Sequence, residues 1–292
     1  MTIKRTVLIT GSTDGIGKLT AINLAQLGHN VYLHGRNADK LNNVIAEVKD
    51  AATQAGQQID VDGFVADFSN LSDVKHMADA ITDKFAAAQM SLDVLINNAG
   101  VFKVSTPQTA SVLDIRFVVN YFAPYLLTQA LMPLLTASAT SDEPSRIVNL
   151  SSAAQQAISA PALAGQASVT DQSAYAQSKL ALTMWSMDLA DQVQSDHVNV
   201  IAVNPGSLLN TRMANDAYGQ HWSSADKGAN ILVALAVSDE FASATGQYFD
   251  NDIKGEYGDE RGAFGKPHHD ALNKVAITEL LQQTQEILQP LS

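Results

Sequence analysis

The chain contains no cysteine among its 292 residues. This absence excludes disulfide bonds, thiolate catalysis and cysteine-ligated zinc, and it fits a reducing compartment. The stretch before Gly11 also lacks an apolar run long enough for a signal peptide. We therefore expect a cytoplasmic protein.

Basic residues are scarce. The 18 lysines and arginines are outnumbered by 30 aspartates and glutamates, which gives a formal net charge of −12. Such a charge repels the phosphate backbone of nucleic acids and the surface of anionic membranes. We expect neither as a partner.

Low-complexity linkers are also lacking, and hydrophobic residues make up 46% of the composition. A chain of this length and composition can bury a large core. The sequence therefore predicts one domain over residues 1–292, with a lid over about 207–223 and a carboxy-terminal extension over about 251–292.

Residues 117–137 form a charge-free segment that is long enough to span a bilayer. The segment also holds Asn120, Pro124, Gln129 and Pro133, which a lone lipid-exposed helix would have to accommodate. We interpret it as a long buried helix and keep a membrane span as the alternative.

Short β-rich runs alternate with helical stretches. The predicted strands are 7–10, 31–34, 61–66, 94–97, 147–150 and 198–203, with a seventh at 247–249. The predicted helices are 16–27, 41–55, 72–88, 112–137, 173–194 and 224–237. This alternation predicts an α/β fold: a three-layer, doubly wound parallel sheet of the Rossmann-like type, with about seven strands and helices on both faces.

A glycine-rich turn, TGSTDGIG, joins the first strand to the first helix. Gly11, Gly15 and Gly17 allow the backbone to approach a pyrophosphate closely while helix amides face it. The alternative is that these glycines only make a tight turn.

The end of the second predicted strand bears on cofactor choice. Dinucleotide folds that select NAD usually present an acid to the ribose 2′-hydroxyl near this position, whereas this chain reads VYLHGRN and offers Arg36. A guanidinium favours a 2′-phosphate, and Lys18 could add a second cation. The sequence favours NADP(H) over the alternative, NAD(H), unless both cations are solvated surface charges.

Seven motifs occur in a fixed order between residues 10 and 206: TGSTDGIG, Asp67 in VADFS, NNAG at 97–100, Asn120 in VVNYF, Ser151-Ser152 in IVNLSS, Tyr175-x-x-x-Lys179, and Asn204-Pro205-Gly206. In these motifs the chain resembles the classical short-chain dehydrogenase/reductase family over about two-thirds of its length. It is most similar to the retinol dehydrogenase and WW-domain oxidoreductase branch, which shares the Gly-Arg-Asn ending of strand two.

The resemblance implies a catalytic group of four residues. Tyr175 would protonate a carbonyl oxygen in reduction, or deprotonate an alcohol in the reverse direction. Lys179, at i+4 on the same helix face, would stabilise the tyrosinate. Ser152, rather than Ser151, would hydrogen-bond the substrate oxygen, and Asn120 would hold a water that links Lys179 to solvent. A core-polar asparagine and a strand-end serine are the alternatives for these last two roles.

The resemblance also implies a cofactor surface. Asp67 would accept from the adenine amino group, residues 98–100 would line the adenine-ribose path, and Lys179 would reach the nicotinamide ribose. An ordinary loop cap is the alternative for Asp67. The full predicted set is Gly11, Ser12, Thr13, Asp14, Gly15, Ile16, Gly17, Arg36, Asp67, Phe68, Asn98, Ala99, Gly100, Tyr175, Lys179, Pro205 and Gly206.

Two places depart from the family pattern. Ser152 and Tyr175 are 23 positions apart, whereas compact members have a step nearer a dozen, so we expect the extra residues at the mouth of the active site, where they would shape substrate choice. After Pro205-Gly206, Asn210 stands where the family's threonine is usual and Thr211 follows. The contact to the nicotinamide carboxamide is therefore not assigned.

Apolar side chains suggest the nature of the substrate. The region after Gly206 contains Leu208, Leu209, Met213, Tyr218 and Trp222, which predict a lid over a hydrophobic carbonyl or alcohol. Packing of the aromatic side chains, Tyr218 and Trp222, beneath a surface loop is the alternative.

The seven histidines show no metal-ligand pattern, so no metal is expected. The helices predicted at 112–137 and 173–194 are the faces through which classical relatives form oligomers, so we expect a homo-oligomer unless the long insertion before Tyr175 obstructs it.

The favoured function is an NAD(P)-dependent oxidoreductase acting on carbonyl or alcohol groups, in particular an NADPH-dependent carbonyl reductase. The alternatives are a cofactor-sensing binding protein without turnover and a dehydratase or epimerase of the extended relatives. The intact set Asn120, Ser152, Tyr175 and Lys179 argues against the sensor, because binding alone would not require it.

Overall fold

Eight strands form one sheet in the computed structural model of the protein, which describes residues 3–253 and 262–291. The strands are β1 (Thr6–Ile9), β2 (Asn30–Gly35), β3 (Val61–Val65), β4 (Val94–Asn97), β5 (Ser145–Leu150), β6 (Val198–Asn204), β7 (Gln247–Asp250) and β8 (Ala263–Gly265). Their order is β3-β2-β1-β4-β5-β6-β7-β8, and all neighbours are parallel except β7 and β8. The order reverses between β1 and β4, which is where open α/β sheets bind ligands.

Helices follow the strands and cover both faces. They are α1 (Gly15–Gln26), α2 (Ala38–Gln54), α3 (Leu71–Ala87), α4 (Ile115–Phe117), α5 (Ala123–Ser138), α6 (Ala160–Leu163), α7 (Asp171–Gln192), α8 (Arg212–Tyr218), α9 (Ala225–Val237) and α10 (Lys274–Leu288). Polar caps set several starts, because Asn37, Asn70 and Thr170 each accept a hydrogen bond from a backbone amide of the first turn.

The hydrophobic core has one layer on each side of the sheet. In β1, Leu8 packs into the layer that contains α3, α5 and α7, whereas Val7 and Ile9 pack into the layer that contains α1, α2 and α9. Successive residues of a strand point to opposite faces, and both faces are covered, so Val7, Leu8 and Ile9 are apolar in succession. The doubly wound fold predicted from the sequence is confirmed.

The eighth strand was not predicted. Residues Ala263–Gly265 pair antiparallel with β7, and the Phe264 ring lies edge-on to Phe249 at 5.3 Å and to Phe241 at 6.0 Å. A run of three residues is too short to show the alternation typical of a strand, so no pattern in the sequence indicates this edge strand. The strand belongs to the extension predicted over 251–292, of which residues 254–261 lie outside the described residues.

The long apolar segment forms a continuous helical stretch from Ile115 to Ser138, and it is apolar and long enough to cross a membrane by length and composition. In the fold, 61% of its most apolar part is buried, including Leu127, Leu131 and Leu135 on one side of α5. The helix begins three residues later than predicted, because Val112 has a left-handed φ of 66° and Asp114 caps the first turn.

The carboxy-terminal helix α10 packs against α7. Its buried side includes Ile277, Leu280 and Leu288, and Thr284 shares a 2.8 Å hydrogen bond with the hydroxyl of Tyr121. Part of α7, one of the two helices expected to contact a second copy, is therefore covered by the chain itself.

Candidate active site

The glycine turn lies between β1 and α1, beside the switch point. Gly11 and Gly15 have φ values of +63° and +53°, which favour glycine. A Cβ atom on Gly17 would lie 2.6 Å from the Gly11 carbonyl oxygen and 2.4 Å from Asn98 Nδ2. The positive φ angles therefore favour glycine at positions 11 and 15, and the close contacts require it at position 17.

The NNAG segment after β4 fastens this turn. Asn98 Nδ2 donates to the carbonyl oxygens of Thr10 and Gly11 at 2.8 and 2.9 Å. The backbone amides of Asn98 and Ala99 both donate to Thr10 Oγ1 at 3.0 Å. The Asn98 side chain thus supports the predicted cofactor surface through the turn. Gly100 lies deeper, where a Cβ would be 3.3 Å from Asn120 Oδ1 and 3.5 Å from Lys179 Nζ.

His34 is a residue that the sequence analysis missed. Its Nδ1 accepts from the Gly11 amide at 3.0 Å, its Nε2 lies 3.0 Å from the Ala66 carbonyl oxygen, and its ring stacks on Phe68 at 4.1 Å. Burial lowers the pKa of His34 to about 4, so the neutral ring can accept at one nitrogen and donate at the other. Its only sequence signal is a polar residue within the buried run VYLHG.

The next residues of the turn have different roles. Ser12 is buried, where its Oγ accepts from the His34 amide at 3.0 Å. Thr13 packs over Gly35, whose Cβ would lie 2.4 Å from Thr13 Cγ2. Asp14 is exposed and caps α1 by accepting from the Gly15 amide. The Ser12 side chain therefore serves the fold, and the contact of the turn's backbone with a pyrophosphate stays a prediction.

Arg36 immediately follows β2 and is exposed. Within residues 3–253 and 262–291, its guanidinium has no ion pair or hydrogen bond with a protein group. Lys18 pairs instead with Glu47 of α2, because α1 and α2 lie side by side. Arg36 is thus the cation left available at this edge, and the second cation considered from the sequence is already neutralised.

Asp67 follows β3 and caps the loop that leads into α3. Its Oδ1 accepts from the backbone amide of Ser69 at 2.9 Å and from Ser69 Oγ at 2.8 Å. Asp67 Oδ1 therefore caps the loop, which is the alternative role that the sequence left open for this residue. A hydrogen bond between Asp67 and the adenine amino group stays a prediction. Phe68, the other residue predicted here, is buried beneath His34.

Tyr175 and Lys179 lie one turn apart on α7. Lys179 Nζ is 5.7 Å from the centre of the Tyr175 ring and donates to the Leu150 carbonyl oxygen at 2.6 Å. Burial lowers the pKa of Lys179 to about 8. The Phe102 ring lies 4.8 Å from the Tyr175 ring on another side. The helix thus holds a buried cation against the half-buried tyrosine.

Asn120 lies in a π-helical turn, Val118–Phe122, between α4 and α5. Its Oδ1 accepts from the Val101 amide at 2.8 Å, and its Nδ2 donates to the Val101 carbonyl oxygen and to Ser178 Oγ at 3.0 and 2.9 Å. The side chain therefore ties the loop after β4 to α7, and the predicted water-holding role would fall to the backbone. Such π-helical turns recur at functional sites.

The two serines after β5 point to different surroundings. Ser151 is buried, and its Oγ is hydrogen-bonded to Thr183 Oγ1 at 2.6 Å and to the Lys179 carbonyl oxygen at 3.2 Å. Ser152 is half-buried, and its Oγ accepts from the Ala154 amide at 3.1 Å. Ser152 is thus the more accessible of the two serines, and its hydrogen bond to a substrate oxygen stays a prediction.

The insertion between Ser152 and Tyr175 folds back on the start of α7. Gln177 Oε1 accepts from the Ser159 amide at 2.8 Å, which fixes the entry to the short helix α6. Between the insertion and α7 lies a cleft of about 740 Å³, which begins at Ala153 and includes Ala176. The extra residues therefore form one wall of this cleft, and neither Ser152 nor Tyr175 is among the residues that line it.

The lid predicted over 207–223 begins shortly after β6 and contains α8. Its base is closed by the Asn210 amide bonded to the Ser223 carbonyl oxygen and the Trp222 amide bonded to the Leu208 carbonyl oxygen. Leu209 is buried against Gly228, whose Cβ would lie 2.5 Å from Leu209 Cδ1. Leu209 therefore packs inside the fold.

The rest of the lid is less enclosed. Met213 and Trp222 are 39% and 72% exposed; the side chain of Tyr218 lies outside the described residues. Thr211 caps α8 and its Cγ2 would be 3.6 Å from a Cβ on Gly15. Thr211 thus places the lid next to the glycine turn, although its contact with a carboxamide stays unassigned.

Pro205 and Gly206 lie at the end of β6, where the lid leaves the sheet. Gly206 has a φ of +120°, and the Pro205 carbonyl oxygen accepts from Asn251 Nδ2 at 2.9 Å. Asp252 accepts from the Ser207 amide at 3.0 Å and from Ser207 Oγ at 2.6 Å. These bonds fix the first residues of the lid to the segment after β7.

The described residues contain one cluster with potential metal ligands, His268, His269 and Asp270, whose ligand atoms lie within 4.8 Å of one another. The two imidazole rings stack at 4.2 Å, and His268 Nδ1 accepts from the Asp270 amide at 3.3 Å. These contacts account for the arrangement without a metal, and the expectation of no metal stays a prediction.

Comparison with known proteins places these features among relatives. The family model of the short chain dehydrogenases matches residues 5–221. Human polyprenol dehydrogenase is 30% identical over 264 residues, which cover 85% of this chain and 77% of that protein. Human retinol dehydrogenase 13 is 32% identical over 273 residues, which cover 84% of this chain and 76% of that protein.

Solved structures share the same architecture. The complex of Pseudomonas aeruginosa RhlG with NADP superimposes with a TM-score of 0.68 at 25% identity, and the match covers 85% of this chain and 94% of that one.

Proposed function

The chain belongs to the short-chain dehydrogenase family, in its retinol dehydrogenase branch, and is an NAD(P)-dependent oxidoreductase; from this premise we propose that it reduces carbonyl compounds with NADPH. One observation carries the proposal. Lys179 is buried within 5.7 Å of the Tyr175 ring, next to Gly100 of the segment that fastens the glycine turn. A proton donor with its activating cation thus lies beside a surface suited to a dinucleotide.

The residues at this edge fit a nicotinamide dinucleotide. Gly11 and Gly15 give the turn a conformation that exposes its backbone at the amino end of α1. Arg36 has no protein partner among the described residues, so its guanidinium is available to a 2′-phosphate. When bound, the cofactor supplies the hydride. The NADP complex of RhlG is consistent with this cofactor in a related fold.

The chain's own residues then manage the proton and the substrate oxygen. Tyr175 would donate its hydroxyl proton to the carbonyl oxygen, and Lys179 would stabilise the resulting tyrosinate. Ser152 Oγ would orient the same oxygen, since Ser151 is committed to Thr183. The backbone at Asn120 would connect Lys179 to water. The cofactor-sensing alternative gives the hydroxyls of Tyr175 and Ser152 no role.

The remaining expectations become proposals of the same kind. The acidic composition and the lack of cysteine support a cytoplasmic location. An apolar substrate is supported by the human relatives, whose names refer to polyprenol and retinol. A homo-oligomer would have to use the surface that α10 leaves uncovered.

The proposal is tested by incubating the purified protein with NADPH and a panel of short aldehydes and ketones while the absorbance of NADPH is followed. We expect turnover with some members of the panel, and slower turnover when NADH replaces NADPH. Tight binding of NADPH without turnover of any carbonyl or alcohol would favour the sensor instead.

A further inference from the structure

The pairing of β5 with β6 ends before Ser152. Leu150 is the last residue of β5 in the paired register, where it lies opposite Val203, and the side chain of Ser151 is bonded to Thr183 of α7. Ser152 lies two residues beyond the last paired position. Contacts outside the paired strands therefore have to hold it.

Two side chains hold the backbone of Ser152. The Tyr248 hydroxyl, from β7, donates to the Ser152 carbonyl oxygen at 3.0 Å, and Gln155 Nε2 donates to the same oxygen at 3.0 Å. Gln155 is itself held, because its Oε1 accepts from the His268 amide at 2.9 Å. A carbonyl oxygen has two lone pairs, so these two donors together fix the direction of the Ser152 carbonyl group.

The carboxy-terminal part of the chain supplies this support. Tyr248 and His268 both lie beyond residue 221, where the match to the family model ends. Tyr248 is 4% exposed, and burial raises the pKa of its hydroxyl, which therefore keeps its proton as a donor. A phenylalanine would fill the same space without the hydrogen bond, so packing alone does not call for the hydroxyl.

The direction of the carbonyl group bears on the Ser152 hydroxyl. Ser152 Oγ accepts from the Ala154 amide at 3.1 Å, and the Ser152 carbonyl belongs to the peptide unit that leads towards Ala154. Because a peptide unit is planar, turning this carbonyl would also move the Ala154 amide and the hydroxyl bonded to it. A group misplaced by about 1 Å can lower the rate of a reaction by about a hundredfold.

We propose that Tyr248 and Gln155 are positioning residues, which hold Ser152 so that its hydroxyl meets the substrate oxygen. The inference rests on the proposed carbonyl reduction, in which Ser152 orients that oxygen, and it adds the residues that place Ser152. Neither positioning residue needs to touch the substrate. The carboxy-terminal part of the chain thereby contributes to turnover as well as to packing.

The variant Tyr248→Phe removes one of the two donors and keeps the ring. With a reducible aldehyde and saturating NADPH, we expect kcat to fall by about tenfold while the dissociation constant of NADPH stays unchanged. The matched control is Tyr32→Phe, which removes the hydroxyl of a buried tyrosine of β2 that is bonded to Met90 Sδ, and it should turn over at the wild-type rate. Gln155→Met, which removes the other donor, should resemble Tyr248→Phe.

A double-mutant cycle separates positioning from general damage to the fold. Ser152→Ala alone should lower kcat by about a hundredfold. Adding Tyr248→Phe to it should change kcat by less than about twofold, because no hydroxyl is left to place. A wild-type kcat in the single variant Tyr248→Phe, or an equal loss in both backgrounds, would overturn the inference. If Tyr248→Phe does not fold, Gln155→Met is carried through the same cycle.

Hydrogen exchange keeps this inference distinct from the proposed function. NMR follows the exchange of the Ala154 amide without any turnover, and Tyr248→Phe should speed this exchange by about threefold or more, whereas Tyr32→Phe should not. If the wild type reduces no carbonyl compound, the proposed function fails, and the exchange rates alone decide whether Tyr248 places Ser152. Equal exchange rates in the wild type and in Tyr248→Phe would reject that role.

Discussion

The glycine turn and the lid lie next to each other, but the protein holds them in different ways. The turn is bonded from two neighbouring strands, by Asn98 after β4 and by His34 of β2. The lid is bonded mainly at its base, while Met213 and Trp222 extend into solvent. The cofactor side is thus shaped by the fold before any ligand binds, whereas the lid leaves more of its arrangement to the substrate.

The largest expected effect is on turnover, and it tests whether the reaction needs the hydroxyl proton of Tyr175, which lies on α7 rather than on the lid. Tyr175→Phe removes the transferable proton and keeps the ring, so we expect turnover to fall by about a hundredfold or more while NADPH affinity changes little. Steady-state kinetics and fluorescence titration measure the two quantities. Tyr125→Phe, which alters a half-buried tyrosine of α5, is the matched control. Turnover by Tyr175→Phe at the wild-type rate would remove this residue from the mechanism.

A second test concerns the rigidity of the turn itself. The pKa of His34 is about 4 in the folded protein because of burial, against about 6.5 when unfolded. Between these pH values the imidazole of His34 binds a proton in the unfolded chain but not in the folded protein. The contribution of His34 to the free energy of unfolding is therefore complete above pH 6.5 and declines as the pH falls towards 4. From pH 7.5 to 5, this residue should lower the free energy of unfolding by about 2 kcal/mol.

Urea unfolding at the two pH values measures this loss. The variant His34→Gln should lack it, whereas His269→Gln, which alters a histidine that is 83% exposed, should behave like the wild type. An equal pH dependence in all three proteins would show that His34 is not what holds the turn.

A smaller effect is expected at Arg36, at the outer limit of the cofactor side. Two charge-assisted hydrogen bonds to a 2′-phosphate, weakened by solvent, should make NADPH bind about tenfold more tightly than NADH. Arg36→Ala should erase most of this preference, and Lys49→Ala, which removes the same charge from an exposed position on α2, should not. Fluorescence titration at matched ionic strength compares the dissociation constants. Equal constants in the wild type would contradict the assignment of NADPH.

The last effect is the dependence of kcat/KM on pH. Because burial lowers the pKa of Lys179 to about 8, the ammonium that supports Tyr175 is present below this value and is lost above it. We expect kcat/KM for carbonyl reduction to fall as the pH rises through about 8, approaching tenfold per pH unit. Rates measured between pH 6 and pH 10 at saturating NADPH give this profile. A flat profile through pH 9.5 would show that the charge of Lys179 is not needed.

The sequence could predict the features that depend on residues close together in the chain. Alternating strands and helices, the glycine turn and Tyr175 with Lys179 are local patterns, and the fold brought them to one edge of the sheet as expected. His34 acts through contacts to Gly11 and Ala66 that are distant in sequence, so no local pattern could reveal it.

The substrate side was harder to predict for the same reason. The pairing of Gln155 with His268 joins residues 113 positions apart, and the burial of Leu209 depends on Gly228 of α9. The apolar residues in the lid sequence therefore did not show which side chains would be buried and which would face a substrate. Strand β8 and the π-helical turn at Asn120 are likewise set by their neighbours rather than by a repeating pattern.

Transfer of deuterium shows whether the protein passes a hydride from the cofactor to a carbonyl carbon. The wild-type protein would be incubated with NADPH deuterated at both C4 positions and with a reducible aldehyde, and the product alcohol would be analysed by mass spectrometry. We expect an alcohol that carries one deuterium on the former carbonyl carbon, formed in equal amount to NADP⁺. Oxidation of NADPH with no deuterium in the alcohol, or no alcohol formed from any carbonyl compound, would contradict it.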